Sequence, residues 1–166
     1  MESTAAGEFG QFVEAELPRL LGLARALTGN EHDAWDLTQE CLIRVGVRWS
    51  RIDLDRNPSG YAKTCLIRLN LNRTRRLRRE WLTPAPQGDP RVETTEGGDT
   101  SLDAWLERAI VALPPRQRAT LVLRYLEDLS IPDIADLLGC SEPTVRSQLS
   151  RGLRVLSQSA PDAARP

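Results

Sequence analysis

Residues 130–156, SIPDIADLLGCSEPTVRSQLSRGLRVL, decide how this chain is read. Ser130 and Ser141 each precede a short helical run, with Asp133 and Thr144 three residues further on. Each run therefore has a side-chain oxygen for the orphan amides of its first turn. Pro132 and Pro143 fall in those first turns, where a missing N–H costs nothing. Ile134, Ala135, Leu137 and Leu138 give the first run a face to bury, and Val145, Leu149, Leu153 and Leu156 recur at helical spacing in the second. Gly139 supplies the left-handed residue between them. Ala135, Gly139 and Val145 thus stand where two helices touch, where the chain turns and where the second helix packs back, which is the spacing of a helix-turn-helix. The second helix, 142–156, turns outward Arg146, Ser147, Gln148, Ser150, Arg151 and Arg154. Guanidinium forks and short donors of this kind suit phosphates and the edges of guanine and adenine. The plain alternative is a helical hairpin with a polar solvent face. Such a hairpin does not require Ala, Gly and Val at these offsets, nor a second helix free of acids after Glu142.

With 166 residues, 40% hydrophobic and 27% charged, the chain can build one or two small domains with modest cores. No run approaches the apolar length of a membrane span, and the leading MESTAAGEFG lacks a basic region followed by an apolar one, so a cytoplasmic protein without membrane insertion is expected. Cys41, Cys65 and Cys140 stand far apart in apolar helical contexts, and only His32 is present as a histidine. Free buried thiols are expected, with Cys140 partly exposed, and no metal or cofactor. The net charge of −1 conceals a segregation. Acids gather at Glu14, Glu16, Glu31, Asp33, Asp36 and Glu40, and again from Asp89 to Glu107, whereas Arg73, Arg75, Arg76, Arg78 and Arg79 crowd one short stretch. A local positive field holds a phosphate backbone whatever the total charge.

Strand-like alternation is absent, so an all-α fold is expected: two small helical domains, 1–82 and 101–158, with a tail at 159–166. Between them, 83–100 (TPAPQGDPRVETTEGGDT) is rich in Pro, Gly, Thr and acids and reads as a mobile tether. The first block predicts a helix from Phe9 to Leu27, kinked or broken at Pro18 and ended by Gly29-Asn30. A second helix over 31–48 has Ala34, Leu37, Cys41 and Val45 on one stripe and Asp36, Gln39, Glu40 and Ile43, flanked by Trp35, on the other side. That mixture of acids and exposed apolar groups suits an interface, and equally a solvated face with one stray Trp. A third helix over 58–80 buries Ala62, Cys65, Leu66 and Leu69 and carries Lys63, Ile67, Asn70 and Thr74 on a different face that leads into the arginine cluster. A cation, an amide and an apolar wedge beside a basic end can hold single-stranded or distorted DNA. One or two bases would be enough to serve the carbonyls and dipole of a helix end; here there are five arginines.

Several short strings follow one another along the chain: Ala34-Trp35-Asp36-Leu37-Thr38-Gln39-Glu40, Gly60-Tyr61, Arg68-Leu69-Asn70, Arg75-Arg76, Leu113-Pro114-Pro115-Arg116-Gln117-Arg118, Ile134-Ala135 and Thr144-Val145-Arg146-Ser147. In this ordered set the chain resembles bacterial RNA polymerase sigma factors of the two-domain extracytoplasmic-function class, the actinobacterial members in particular. The resemblance implies a sigma region 2 domain of three or four helices, then a sigma region 4 helix-turn-helix domain. It implies that Asp36, Leu37, Gln39 and Glu40 dock on the beta-prime clamp helices of core RNA polymerase. Lys63, Asn70, Arg73, Arg75 and Arg76, with the loop 51–59, would engage the melted minus-ten element, one base of it flipped into a pocket. Thr144, Arg146, Ser147, Ser150 and Arg151 would read the minus-thirty-five element as duplex, on a domain resting against the beta flap. The implied function is promoter recognition and opening without catalysis by the chain itself, as a monomer when free, with an anti-sigma factor as a further partner. Three departures stand out: Trp35 replaces an acid that commonly precedes the Asp, Tyr61 stands where Trp is frequent, and Pro143 and Gly152 lie in the recognition helix. Gly152 costs about 1 kcal/mol relative to Ala there and would let a DNA backbone approach closely. A stand-alone helix-turn-helix regulator, dimeric on a palindrome, is the alternative, and it leaves the Asp36 ridge and the arginine cluster without a task. An enzyme lacks support, since His32 has no evident nucleophile near it and no phosphate-binding glycine loop is present.

Overall fold

Gly29 and Asn30 make the first corner of the molecule, between α1 (Glu2–Thr28) and α2 (Glu31–Val47). Gly29 takes φ +71°, and its amide closes α1 on the Arg25 carbonyl at 2.8 Å. Asn30 then opens α2, its Oδ1 accepting from the Asp33 amide at 2.9 Å. In the computed structural model, residues 2–52, 57–81 and 102–160 are described, with side chains over 6–52, 57–76 and 105–160. The tether 83–100, the side chains of Arg78 and Arg79, and residues 161–166 lie outside the described residues.

α1 differs from its expected form in two ways. It starts well before Phe9, because Phe9 and Phe12 pack on Trp49 with ring centroids 5.1 and 4.8 Å away. It also runs through Pro18 unbroken. Pro18 and Glu14 are exposed, so water can serve the carbonyl that the proline ring leaves without an amide.

The α2 stripe of Ala34, Leu37, Cys41 and Val45 is fully buried, against Leu20, Leu23, Ala24 and Leu27 of α1 and Ala62, Leu66 and Leu69 of α3 (Pro58–Trp81). Ile67 and Asn70 were expected on an open face of α3 and are buried, while Cys65 is only half-buried. The second domain lies against that side of α3.

That domain consists of α4 (Leu102–Val111), α5 (Pro115–Leu121), a π-helical turn (Val122–Leu126), α6 (Ile131–Leu138) and α7 (Glu142–Ser159). Both serine caps form, Ser130 accepting from the Asp133 amide at 3.3 Å and Ser141 from the Thr144 amide at 3.4 Å. Gly139 adopts φ +61° between them. Ile134, Ala135, Val145 and Leu149 join Leu113, Leu121 and Leu123 in the core. Leu153, expected to join them, is 43% exposed, because Gly152 takes the contact with α5. A Cβ on Gly152 would meet Leu121 Cδ1 at 2.7 Å, so this glycine is buried for helix packing and does not face DNA. α7 also outruns the expected boundary at 158: Trp105 Nε1 donates to the Ser159 carbonyl at 2.8 Å and Ala160 is buried.

The two domains, expected to hang apart on a tether, touch: α1 meets α4 and α5, and α3 meets α6. Among the described residues no helix is long and apolar enough to cross a membrane, and no three His, Cys, Asp or Glu side chains group as a metal site.

Candidate functional site

Three surfaces carry the residues singled out from the sequence. The first is the outer side of α2. Asp36 and Gln39 are exposed there with Trp35, Ile43 and Val47, and Glu40 is half-buried against Arg44, 2.7 Å away. Leu37 does not share this face; it lies wholly within the core and can only hold the helix in place. The acidic ridge borders an apolar groove of about 610 Å³ between α1 and α2, lined by Phe9, Val13, Leu17, Leu42, Ile43 and Val47 among others. Trp35 stands at its rim, its Nε1 donating to Glu31 Oε1 at 3.0 Å. Arg25 grips the same carboxylate through Nε and Nη2, and that hydrogen bonding holds the Glu31 carboxyl below its ordinary pKa. The groove was missed in the sequence apart from Trp35 and Ile43; Val13/Leu17 and Ile43/Val47, each pair four apart, are the signal that shows it.

The second surface is the side of α3 that faces the other domain. Lys63 Nζ pairs with Glu127 Oε2 at 2.5 Å, across the domain boundary. Asn70 is 7% exposed and lines a narrow cleft with Leu71, Thr74 and Arg75 on one wall and Gly139, Cys140, Thr144 and Gln148 on the other. Arg73 reaches back to Asp33, contacting its carboxylate and its carbonyl at 3.4 Å. Arg75 and Arg76 are exposed at the end of the same helix. The proposed minus-ten residues therefore share one helix, but Lys63 and Arg73 are paired within the protein and Asn70 is buried.

The third surface is α7. Arg146, Ser150 and Arg151 are exposed and Ser147 is half-buried, all on one outward side of the helix. Arg146 is held by Glu142 Oε2 at 2.9 Å, a contact that prepositions the guanidinium and competes for it. Thr144 sits in the first turn with its hydroxyl 2.9 Å from that of Ser141.

Two residues join the domains in a role that the sequence did not show. Arg118 is 9% exposed and donates to the carbonyls of Leu27 (3.3 Å) and Thr28 (2.7 Å) in α1 and to those of Val111 (2.6 Å) and Leu113 (3.1 Å) in its own domain. Burial pushes its pKa down, but a guanidinium stays charged in a protein. Glu127 is the other. Neither has a local signature, since an Arg or Glu on a short amphipathic helix reads as surface. Within the first domain, the Cys41 thiol donates to the Ala62 carbonyl at 3.3 Å. Hydrogen bonding between Cys41 and Cys65 pushes the Cys41 thiol up and draws Cys65 down to about 7.

Among the described residues these surfaces belong to an all-helical chain with an acid-bordered apolar groove on α1 and α2 and a basic outward face on α7. Residues 12–80 match the family model for Sigma-70 region 2, and residues 103–156 match that for Sigma-70, region 4. The chain is 32% identical over 153 residues to the RNA polymerase sigma-E factor of Streptomyces coelicolor, covering 91% of this chain and 85% of that one. It is 34% identical over 164 residues to the ECF RNA polymerase sigma factor SigE of Mycolicibacterium smegmatis, covering 93% of this chain and spanning 62% of that relative's length. Its fold is shared by the sigma factor RpoE solved with the anti-sigma factor NepR from Bartonella quintana (TM-score 0.66, 23% identity, 92% of this chain and 96% of that one). The same holds for CnrH solved with the cytosolic domain of CnrY (TM-score 0.57, 22% identity, 95% and 92%). The chain belongs to the RNA polymerase sigma factors of the extracytoplasmic-function class.

Proposed function

We propose that this chain is a dissociable promoter-specificity subunit that docks on core RNA polymerase with its first domain and reads promoter DNA with both. What carries the proposal is that two interfaces of unlike chemistry stand on one chain: the acidic, apolar-grooved α2 face and the basic outward face of α7. The α2 face suits a basic, partly apolar helical partner, as the beta-prime clamp helices would be, with Asp36, Gln39 and Glu40 supplying the polar contacts and Trp35 and Ile43 the apolar ones. Trp35 stands exposed at the rim of the groove, so this docking surface would add ring area to its polar contacts. Lys63, Asn70, Arg73, Arg75 and Arg76 would take the melted minus-ten strand, with the unstacking cost of a few kcal/mol offset by pocket contacts. Arg146, Ser147, Ser150 and Arg151 would enter the major groove of the minus-thirty-five element, Thr144 supporting the start of the helix, with the domain held against the beta flap.

The role is recognition and strand opening, with bond chemistry left to the polymerase; it places the chain in the cytoplasm as a monomer, needing no cofactor. The two solved neighbours are each in complex with a named partner, one of them an anti-sigma factor, and an anti-sigma factor is proposed for this chain as well. The docking assignment has a direct test in Asp36→Ala combined with Gln39→Ala. The double variant should keep its helical circular dichroism and lose co-elution with core polymerase; undiminished co-elution would contradict the assignment.

A further inference from the structure

Cys41 and Cys65 come from different helices and meet where α2 packs on α3. Cys41 is fully buried, and its Sγ donates to the Ala62 carbonyl of α3 at 3.3 Å. The Leu66 amide hydrogen-bonds to the same sulfur. Ala62, Cys65 and Leu66 are three and four positions apart on one side of α3, so the Cys41 sulfur is seated on the turn that carries Cys65. Cys41 has one proton to give. The Ala62 carbonyl takes it while Cys65 is a thiol, and the Cys65 sulfur takes it once Cys65 is a thiolate.

The surroundings of the two sulfurs differ. Cys65 is half-buried, with the guanidinium groups of Arg44 and Arg48 and the Glu40 carboxylate near it. Arg44 is paired with Glu40 at 2.7 Å, and Arg48 donates to the Tyr61 hydroxyl at 3.3 Å. Hydrogen bonding with Cys41 and the two cations draw Cys65 down to about 7 against the opposing effect of burial, so a large share of it is thiolate at neutral pH. Cys41 has no opening to solvent, and hydrogen bonding with Cys65, burial and the charge on Cys65 all push it up. An accessible, cation-flanked thiolate beside a buried thiol is the arrangement of an attacking and a resolving cysteine.

We propose that Cys41 and Cys65 form an oxidisable dithiol site for hydroperoxides, Cys65 attacking and Cys41 resolving, whose product is a disulfide that ties α2 to α3. The Cys65 thiolate attacks one peroxide oxygen: an S–O bond forms, the O–O bond breaks, and the departing oxygen leaves as hydroxide or alkoxide and takes a proton from water. Cys65 is then a sulfenic acid without charge, and the hydrogen bond and the charge that held the proton on Cys41 are gone. The Cys41 sulfur attacks the Cys65 sulfur, the S–S bond forms, the S–O bond breaks, and the Cys41 proton leaves with the oxygen as water. The two sulfurs together give two electrons to the peroxide. The bridge fixes α2, bearing Asp36, Gln39 and Glu40, against α3, bearing Lys63 and Arg73. Neither step depends on what those faces bind.

The test treats the full chain, freed of reductant, with stoichiometric hydrogen peroxide at neutral pH, followed by alkylation under denaturing conditions and peptide mass spectrometry. The parent should lose two alkylatable thiols while remaining a monomer, and yield a peptide pair linking Cys41 to Cys65 that dithiothreitol separates. Cys140, half-buried in the second domain, should stay unlinked. Cys41→Ser keeps a donor for the Ala62 carbonyl and should stop at the Cys65 sulfenic acid, trapped as its dimedone adduct. Cys65→Ser changes the half-buried position, so it tests the pair even if Cys41→Ser does not fold; Cys41 should then oxidise at least about tenfold more slowly than in the parent. Three outcomes overturn the proposal: both thiols of the parent survive the peroxide, the Cys65 dimedone adduct accumulates in the parent without the linked peptide, or either cysteine links to Cys140 in place of its neighbour.

Discussion

α3 and α7 are both basic helices, and they are kept in opposite states. The reading side of α7 is open to solvent, with Arg146, Ser150 and Arg151 exposed and only Glu142 competing for one of them. On α3, Lys63 is neutralised by Glu127, Asn70 is buried and Arg73 is tied to Asp33. On the function proposed above, the difference follows from what each would recognise. A duplex major groove accepts a preformed helix, so a rigid capped helix can stand ready. A melted strand offers unstacked bases to any basic, amide-bearing surface, and an open face of that kind would hold single strands indiscriminately.

The strongest way to break this contrast is at Arg118. Arg118→Ala leaves four carbonyls without their charged donor, two of them across the domain boundary. We expect a loss of about 3 kcal/mol. Differential scanning calorimetry should show the melting temperature falling by about 6–12 °C. An unchanged melting temperature would mean that the domains do not support one another.

A more moderate effect sharpens the open side of the comparison. Arg146→Ala should reduce discrimination at one base pair of the minus-thirty-five element by about 1–3 kcal/mol, measured as relative affinities of holoenzyme across single-base promoter variants. Selectivity identical to the parent would remove α7 as the reader.

The smallest effect probes the packed interior behind the covered helix. The thiolate is the nucleophile, and Cys65 is half-buried with its pKa drawn down to about 7 by hydrogen bonding with Cys41. Iodoacetamide at neutral pH should therefore modify Cys65 well before the fully buried Cys41, followed by mass spectrometry of peptides.

Much of the second domain was legible in the sequence because its signals are local. Ser130, Gly139 and Ser141 act within three or four residues of themselves, and each does in the fold what its spacing predicts. The α2 stripe was legible for the same reason, since Ala34, Leu37, Cys41 and Val45 follow one period. What the sequence concealed depends on partners distant along the chain. Pro18 is tolerated because its side of α1 is solvated, and Gly152 is required because Leu121 approaches it. Arg118 and Lys63 are engaged by residues on the other side of the tether, at separations of 90 and 64 positions, which no periodicity records. Asn70 looked like an open contact residue because helical phase gives direction on a helix and does not show what will pack there.

Transcription in vitro from a library of promoter fragments, with purified core polymerase and with or without this chain, tests the central claim most directly. The account predicts initiation that depends on the added chain, from promoters sharing one pair of spaced, non-palindromic elements. No initiation, together with tight binding of the chain alone to a palindromic duplex, would contradict it.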